Sequence, residues 1–267
     1  MATYTHGHHE SVLRSHRWRT VENSAAYLVP SLRAGLDVLD VGCGPGTITT
    51  ELGGLVGPAG RVLGIDPAPE VIELARAATS DSAANVEFRV GDIYTNDLPD
   101  QSFDIAHAHQ VLQHLEDPVR ALQEMGRLVR PGGLVAVRDA DYAAMTWYPE
   151  NRGLRDWLDL YEQLARHNGG EPDAGRHLLA WAKAAGYTDV TPSASVWCFA
   201  TPTDREWWGG LQADRTTQSA FAEQAVAASL ASKVDLAAMA VAWRTWERDE
   251  RSWFAVLHGE IRCRVPV

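Results

Sequence analysis

The segment "VLDVGCGPGTIT" at 38–49 sets a carboxylate, Asp40, directly ahead of three glycines, Gly42, Gly44 and Gly46, with Cys43 between the first two. Glycines at such a turn let the backbone approach a ligand where side chains would collide. The helical pattern that follows offers free N–H groups and a positive dipole end. Two more carboxylates stand at the ends of apolar runs: Asp66, followed by Pro67, and Asp92, between Gly91 and Ile93. A carboxylate at the Asp66 position can accept both hydroxyls of a ribose. Asp92 can accept from an exocyclic amine of adenine while the Ile93 N–H reaches a ring nitrogen. The three carboxylates imply an adenosine ligand. A pyrophosphate would call for G-x-G-x-x-G spacing, whereas an acid ahead of the glycines suits a ligand with a cationic end.

Two groups of histidines carry further chemistry. "AHAHQ" at 106–110 puts His107 and His109 two residues apart, so their side chains share a direction if the strand continues. His109 and Gln110 then stand nearest the reacting atoms. A neutral imidazole there acts either as a general base or as a hydrogen-bonding wall of the pocket. The N-terminal "YTHGHHE" holds His6, His8 and His9 beside Tyr4 and Thr5. Without a supporting cysteine or carboxylate pair the expected number of metal ligands is none. The stretch is expected to form a lid instead, with Tyr4, Thr5, His8 and His9 capping the ligand or touching substrate.

The elements that must position these residues alternate short apolar runs with helical patterns. The runs lie at 36–41, 61–66, 86–90, 103–108 and 133–140, with helical spacing between them, as in Leu122, Met125 and Val129. Such alternation predicts parallel βαβ units in an open, doubly wound α/β sheet. A helix is expected over 10–32, and Gly132 and Gly133 end one helix and begin a strand. Beyond Asp141 the rhythm becomes helical and rich in tryptophan. Trp147, Tyr148, Trp157, Tyr161, Trp197, Trp207 and Trp208 could line an aromatic pocket, although most large aromatics belong to cores.

Composition sets the outer limits. The chain has 267 residues and a formal net charge of −11, with no Lys/Arg cluster of the kind a nucleic-acid binder shows. No apolar run is long enough to span a bilayer. Three scattered cysteines fit a reducing cytoplasm and suggest no disulfide framework. The expected partners are a small-molecule substrate, with no nucleic acid and no membrane, and a homodimer is compatible with the chain.

The ordered set "VLDVGCGPG", "GID", "VGDI", "FDIAHAHQVLQHL" and "LVRPGGLVAVRDA", covering 36–140, resembles the class I S-adenosylmethionine-dependent methyltransferases. It is most similar to the small-molecule group that includes the ubiquinone and menaquinone C-methyltransferases. The resemblance implies a single domain over 1–267 with a Rossmann-like seven-stranded sheet of order 3-2-1-4-5-7-6, its last strand antiparallel. It also implies an N-terminal lid segment and helix over 1–32, a cofactor core over 36–140, and helical lid insertions over 141–170 and 203–250. S-adenosyl-L-methionine is then the cofactor. Asp40, Gly42, Cys43, Gly44 and Gly46 would meet its methionyl part, Asp66 and Pro67 its ribose, and Gly91, Asp92 and Ile93 its adenine. His109 and Gln110 would lie beside the sulfonium, with His109 as candidate catalytic residue and Trp147 and Tyr148 facing substrate. The implied reaction is methyl transfer to a small, partly apolar or aromatic molecule. A macromolecular methyltransferase, for RNA or protein, and a cofactor-binding protein without transfer are the alternatives. The acceptor atom stays open.

Overall fold

The computed structural model describes Thr5 and residues 10–79 and 83–267. Five parallel strands carry the first half: β1 (Asp37–Val41), β2 (Arg61–Asp66), β3 (Val86–Val90), β4 (Phe103–His109) and β5 (Val129–Ala140). Three more follow: β6 (Thr146–Tyr148), β7 (Val190–Phe199) and β8 (Trp253–Arg264). β8 runs antiparallel between β5 and β7, so the main order is β3-β2-β1-β4-β5-β8-β7. This is the expected Rossmann-like arrangement with one short strand added. β6 takes over from β5 along the same edge of β8, where Trp147 pairs with Phe254.

Each face of the sheet is buried by helices, as continuous apolar strands require. On one face Val38, Ile105, Leu134 and Ala136 meet α2 (Val21–Ser24) and α3 (Thr47–Val56). On the other, Leu39, Ala106, Val135 and Ile261 meet α5 (Pro118–Leu128) and α7 (Ala174–Ala184). α4 (Pro69–Ala78) covers the β2–β3 end through Ile72 and Ala75 against Phe88. α5 starts where its sequence says it should: Asp117 accepts from the Arg120 N–H and Pro118 opens the first turn.

The expected helix over 10–32 is broken. α1 (Glu10–Arg17) stops, and the Thr20 side chain caps the short α2 by accepting from the Asn23 N–H. That break turns Trp18 and Arg19 toward the carboxyl ends of the strands. Above those ends α6 (Arg152–His167), α8 (Pro202–Gln218), α9 (Ala220–Ala227) and α10 (Lys233–Arg248) pack around one aromatic core. Trp157, Trp243, Trp246, Phe221 and Phe254 form its centre. α8 and α10 each begin with a capping box, Thr201 with Asp204 and Ser232 with Asp235. No helix among the described residues is long and apolar enough to cross a membrane.

Candidate active site

A cavity of about 770 Å³ runs along the rim where the parallel strands end. This size lies within the range of roughly 300–1,000 Å³ typical of small-molecule sites. The strand order fixes the sequence of groups along it. Asp92 follows β3, Asp66 ends β2, the glycine turn follows β1, His109 ends β4, and Trp197 stands on β7.

The β3–β1 end is acidic and built largely from backbone. Asp66 accepts from the Gly44 N–H at 3.2 Å and the Ala68 N–H at 3.0 Å, which locks its carboxylate at the rim. Asp92 accepts from the Tyr94 N–H at 2.8 Å. Gly44 has φ +55°, and a Cβ added there would meet only the His16 ring at 3.7 Å, so the turn is open on the cavity side. Gly46 is different. A Cβ there would lie 2.5 Å from the Phe88 ring, and Gly46 does not line the cavity; it is required for close packing rather than ligand approach.

Asp40 lines the cavity and is also braced from behind. It is buried, accepts from the Thr49 hydroxyl at 2.6 Å, and pairs with His107 Nδ1 at 2.8 Å. One oxygen is taken by each neighbour, so the carboxylate braces the strand end and the first turn of α3. His107, fully buried on the same sheet face, is drawn into this bracing and does not line the cavity.

The middle of the rim is organised by directional hydrogen bonds. His258 on β8 donates from Nδ1 to the Val256 carbonyl at 3.1 Å, which leaves its Nε2 as an acceptor. Gln110 Nε2 donates to it at 2.8 Å, and Gln110 Oε1 accepts from Arg19 at 2.6 Å. Gln110 holds φ +54°, uncommon for a residue with a side chain, at the point where β4 reaches the cavity. The Arg19 and His258 contacts hold it there and tie the N-terminal segment to two strands. His109 lies beside it, buried against Trp197 at 5.7 Å between ring centroids. Burial, then the nearby Arg138 and Arg19 charges, hold its imidazole well below the usual histidine range.

The β5–β7 end is aromatic and basic. Trp18 lies edge-on to Trp197 at 5.1 Å and against Trp207 at 5.0 Å, and Arg215 donates to Ser15 at 2.8 Å. Beneath them Arg138 on β5 is 1% exposed and pairs with Glu260 on β8 at 3.3 Å. Ser193 and Ser195 on β7 donate to the two Glu260 oxygens at 2.7 and 2.5 Å. Burial lowers the Arg138 pKa to about 10.

The sequence-predicted residues therefore divide. Asp40, Gly42, Cys43, Gly44, Asp66, Pro67, Gly91, Asp92, Ile93, His109 and Gln110 share the one cavity; Gly46 stands behind it. Trp147 and Tyr148 do not reach it. Pairing of β6 with β8 stacks Trp147 on Phe254 at 5.6 Å in the core and leaves Tyr148 exposed. Tyr4, His8 and His9 lie outside the described residues; Thr5 is buried and accepts from Asn168 at 3.0 Å, near α6. Arg19, Arg215, Tyr142 and Met145 also line the cavity and were not anticipated. Arg19 and Arg215 fall inside predicted helices and Tyr142 and Met145 inside a predicted lid insertion, positions that do not single them out.

A methyltransferase-domain family model matches residues 32–189. An uncharacterized methyltransferase of Schizosaccharomyces pombe is 36% identical, over 97% of this chain and 95% of that protein. The chain belongs to the methyltransferase family. It is an S-adenosylmethionine-dependent methyltransferase. A probable methyltransferase of Aspergillus luteorubrus, ltbC, is 28% identical over 97% of this chain and 95% of its own length. In fold, the methyltransferase is similar to the YcgJ protein of Bacillus subtilis, with a TM-score of 0.58, 20% identity, and coverage of 91% of this chain and 97% of that one.

The methyltransferase's rim fits this cofactor on its own chemistry. Asp66 is a rim carboxylate held by two backbone donors, Gly44 leaves the turn open, and α3 begins without a side-chain cap, so its first N–H groups face the glycine turn. Among the described residues no group of three His, Cys, Asp or Glu could hold a metal ion.

Proposed function

We propose that the methyltransferase acts on a small, partly apolar or aromatic molecule by in-line displacement. The observation that carries this reading is the continuity of one cavity from the acidic β3–β1 rim to the tryptophan-lined chamber beside β7. In this assignment Asp66 holds the ribose of the cofactor, Asp92 and Ile93 its adenine, and the turn at Gly42 and Gly44 its methionyl part. Asp40 acts behind that turn, through Thr49 and His107.

The bound cofactor supplies an electrophilic methyl group on a sulfonium. The task of the protein is then to hold the acceptor in line and exclude water, and alignment of this kind lowers a barrier by roughly 7–11 kcal/mol at best. Trp18, Trp197, Trp207 and Trp208 provide apolar walls, and the segment from Ser15 to Arg19 covers them. Arg19 fastens this cover through Gln110. In this reading residues 141–170 and 203–250 complete the lid expected of them. The ubiquinone biosynthesis O-methyltransferase of a Methylobacterium strain, 32% identical over 52% of this chain and 60% of its own, supports a small acceptor.

Calorimetry with S-adenosylhomocysteine, followed by its release in an acceptor panel of phenols, amines and carbon acids, tests the proposal. Turnover with at least one small acceptor is expected. Turnover confined to RNA or protein substrates would overturn it.

A further inference from the structure

We propose that the acceptor is bound as an anion, an ionised enol or electron-poor phenol whose oxygen takes a hydrogen bond from His109, and that His109 is a donor rather than a base. This rests on the small-molecule methyltransferase reading above and names its substrate class.

The argument starts from the ring nitrogens of His109. Nδ1 lies 3.5 Å from an Arg138 guanidinium nitrogen, a long contact that only Nδ1 can accept, since arginine has no acceptor. A proton on Nδ1 would face an arginine N–H. The imidazole proton is therefore on Nε2. That atom is buried and meets no hydrogen-bond partner among the described residues, while the residue lines the cavity. A buried donor without a partner is costly, and an acceptor atom delivered by substrate relieves that cost.

Arg138 cannot turn away from His109. Its Nε donates to Ser195 at 3.0 Å and faces Glu260 at 3.3 Å, and its guanidinium lies over Trp197 at 5.0 Å from the ring centre. The strongest electrostatic influences on it bear the same way, Arg138 from β5, Arg19 from the α1–α2 connection, His258 from β8 and His107 from β4 itself, while the nearby carboxylates of Asp40 and Glu260 are bonded to His107 and to Arg138, Ser193 and Ser195. Neither carboxylate is bonded to His109 to stabilise an imidazolium. With its Nδ1 lone pair turned to Arg138 and its proton on Nε2, His109 presents a donor to the cavity, which stabilises an acceptor that arrives without its proton.

The chemistry balances with no proton moved. The anionic oxygen supplies the electron pair for the new bond to the methyl carbon. The bond from that carbon to sulfur breaks, and its pair stays on sulfur and cancels the sulfonium charge. The methyl ether leaves neutral.

The test uses the full chain saturated with S-adenosylhomocysteine and three probes: p-nitrophenol and a cyclic 1,3-diketone, which ionise near neutrality, and p-cresol, which does not. The absorbance of bound p-nitrophenol reads its ionisation directly. Its midpoint is expected to fall by about one pH unit, a tenfold preference for the phenolate. H109Q, whose amide also donates, keeps most of that shift, and H109L loses it. In turnover, the acid limb of the pH profile should move with the acidity of each acceptor. Equal affinity for both forms, an acid limb at one fixed pH for all acceptors, or no binding of any probe to a chain that does bind S-adenosylhomocysteine overturns the proposal. Failure to bind S-adenosylhomocysteine itself counts instead against the cofactor assignment beneath it.

Discussion

The two ends of the cavity are built in different ways. The β3–β1 end is assembled from short motifs at successive strand ends: the glycine turn, the strand-end aspartates and backbone N–H groups, most of them within a few residues, that hold them. The β5–β7 end is assembled from residues far apart, with Arg138 paired to Glu260, Trp18 packed on Trp197, and Ser15 bonded to Arg215. The first end depends on local backbone geometry. The second depends on the whole fold being in place, and its charges are buried. Damage to the first should therefore cost binding and spare stability, and damage beneath the second should do the reverse.

The sharpest way to break that contrast is Glu260→Ala. It leaves Arg138 buried without its carboxylate, and loss of one partner of such a pair costs about 3–5 kcal/mol. A fall of that size in the unfolding free energy from chemical denaturation is expected, and an unchanged value would show that the pair is not a foundation of the chamber. Asp66→Ala is the counterpart. Loss of two charge-assisted hydrogen bonds to a ribose should weaken S-adenosylhomocysteine binding by about a hundredfold or more in calorimetry, with the thermal midpoint nearly unmoved.

The pH dependence of stability sharpens the comparison further. His109, His114 and His258 are held well below the usual histidine value of about 6.5 by burial, His114 at about 3, and Arg138 adds to the effect at His109 and His258. Below that pH the unfolded chain binds protons that the folded one refuses, so stability falls as pH drops, by about 1.4 kcal/mol per unit for each histidine. Asp139, raised to about 7 by burial, works in the opposite direction: folded, it keeps a proton that the unfolded chain releases above its own lower pKa. Three histidines against one aspartate leave a net loss in acid. Asp139→Asn should steepen it, and thermal melts between pH 5 and 7 read the slope.

A smaller effect is expected for Trp207→Ala. Removing one wall of the aromatic chamber should raise the KM for an apolar acceptor about tenfold and leave S-adenosylhomocysteine affinity within twofold, roughly the error of such a comparison. Least of all, Tyr148→Ser should change neither stability nor KM beyond about 0.5 kcal/mol, because Tyr148 points to solvent from β6. A clear loss of activity there would restore it to the substrate site.

The five parallel strands and their helices were legible because burial on both faces leaves continuous apolar runs, and Asp117 with Pro118, or Gly186 with φ +99°, marks element ends in plain residue chemistry. The tail was legible as a last strand. β6 was not, since three residues carry no period. The helix expected over 10–32 failed at Thr20, where a side-chain cap outcompeted a continuous apolar stripe. The position of Asp40 before the glycines was visible, while the partners that brace it, Thr49 and His107, are 9 and 67 residues away and were not.

By itself the sequence determined the rim: which strands exist, that aspartates tip them, and that the turn between β1 and α3 must be glycine. These follow from local rules, namely the period of side chains along a strand and the conformational freedom of glycine. Only the tertiary structure decided which nitrogen of His109 faces Arg138, which tryptophans line the cavity and which are core, and which arginine lies under the chamber. Those properties belong to groups brought together from β4, β5, β7, β8 and the N-terminal segment, and the energy of a buried charge or hydrogen bond depends on neighbours that no local pattern records.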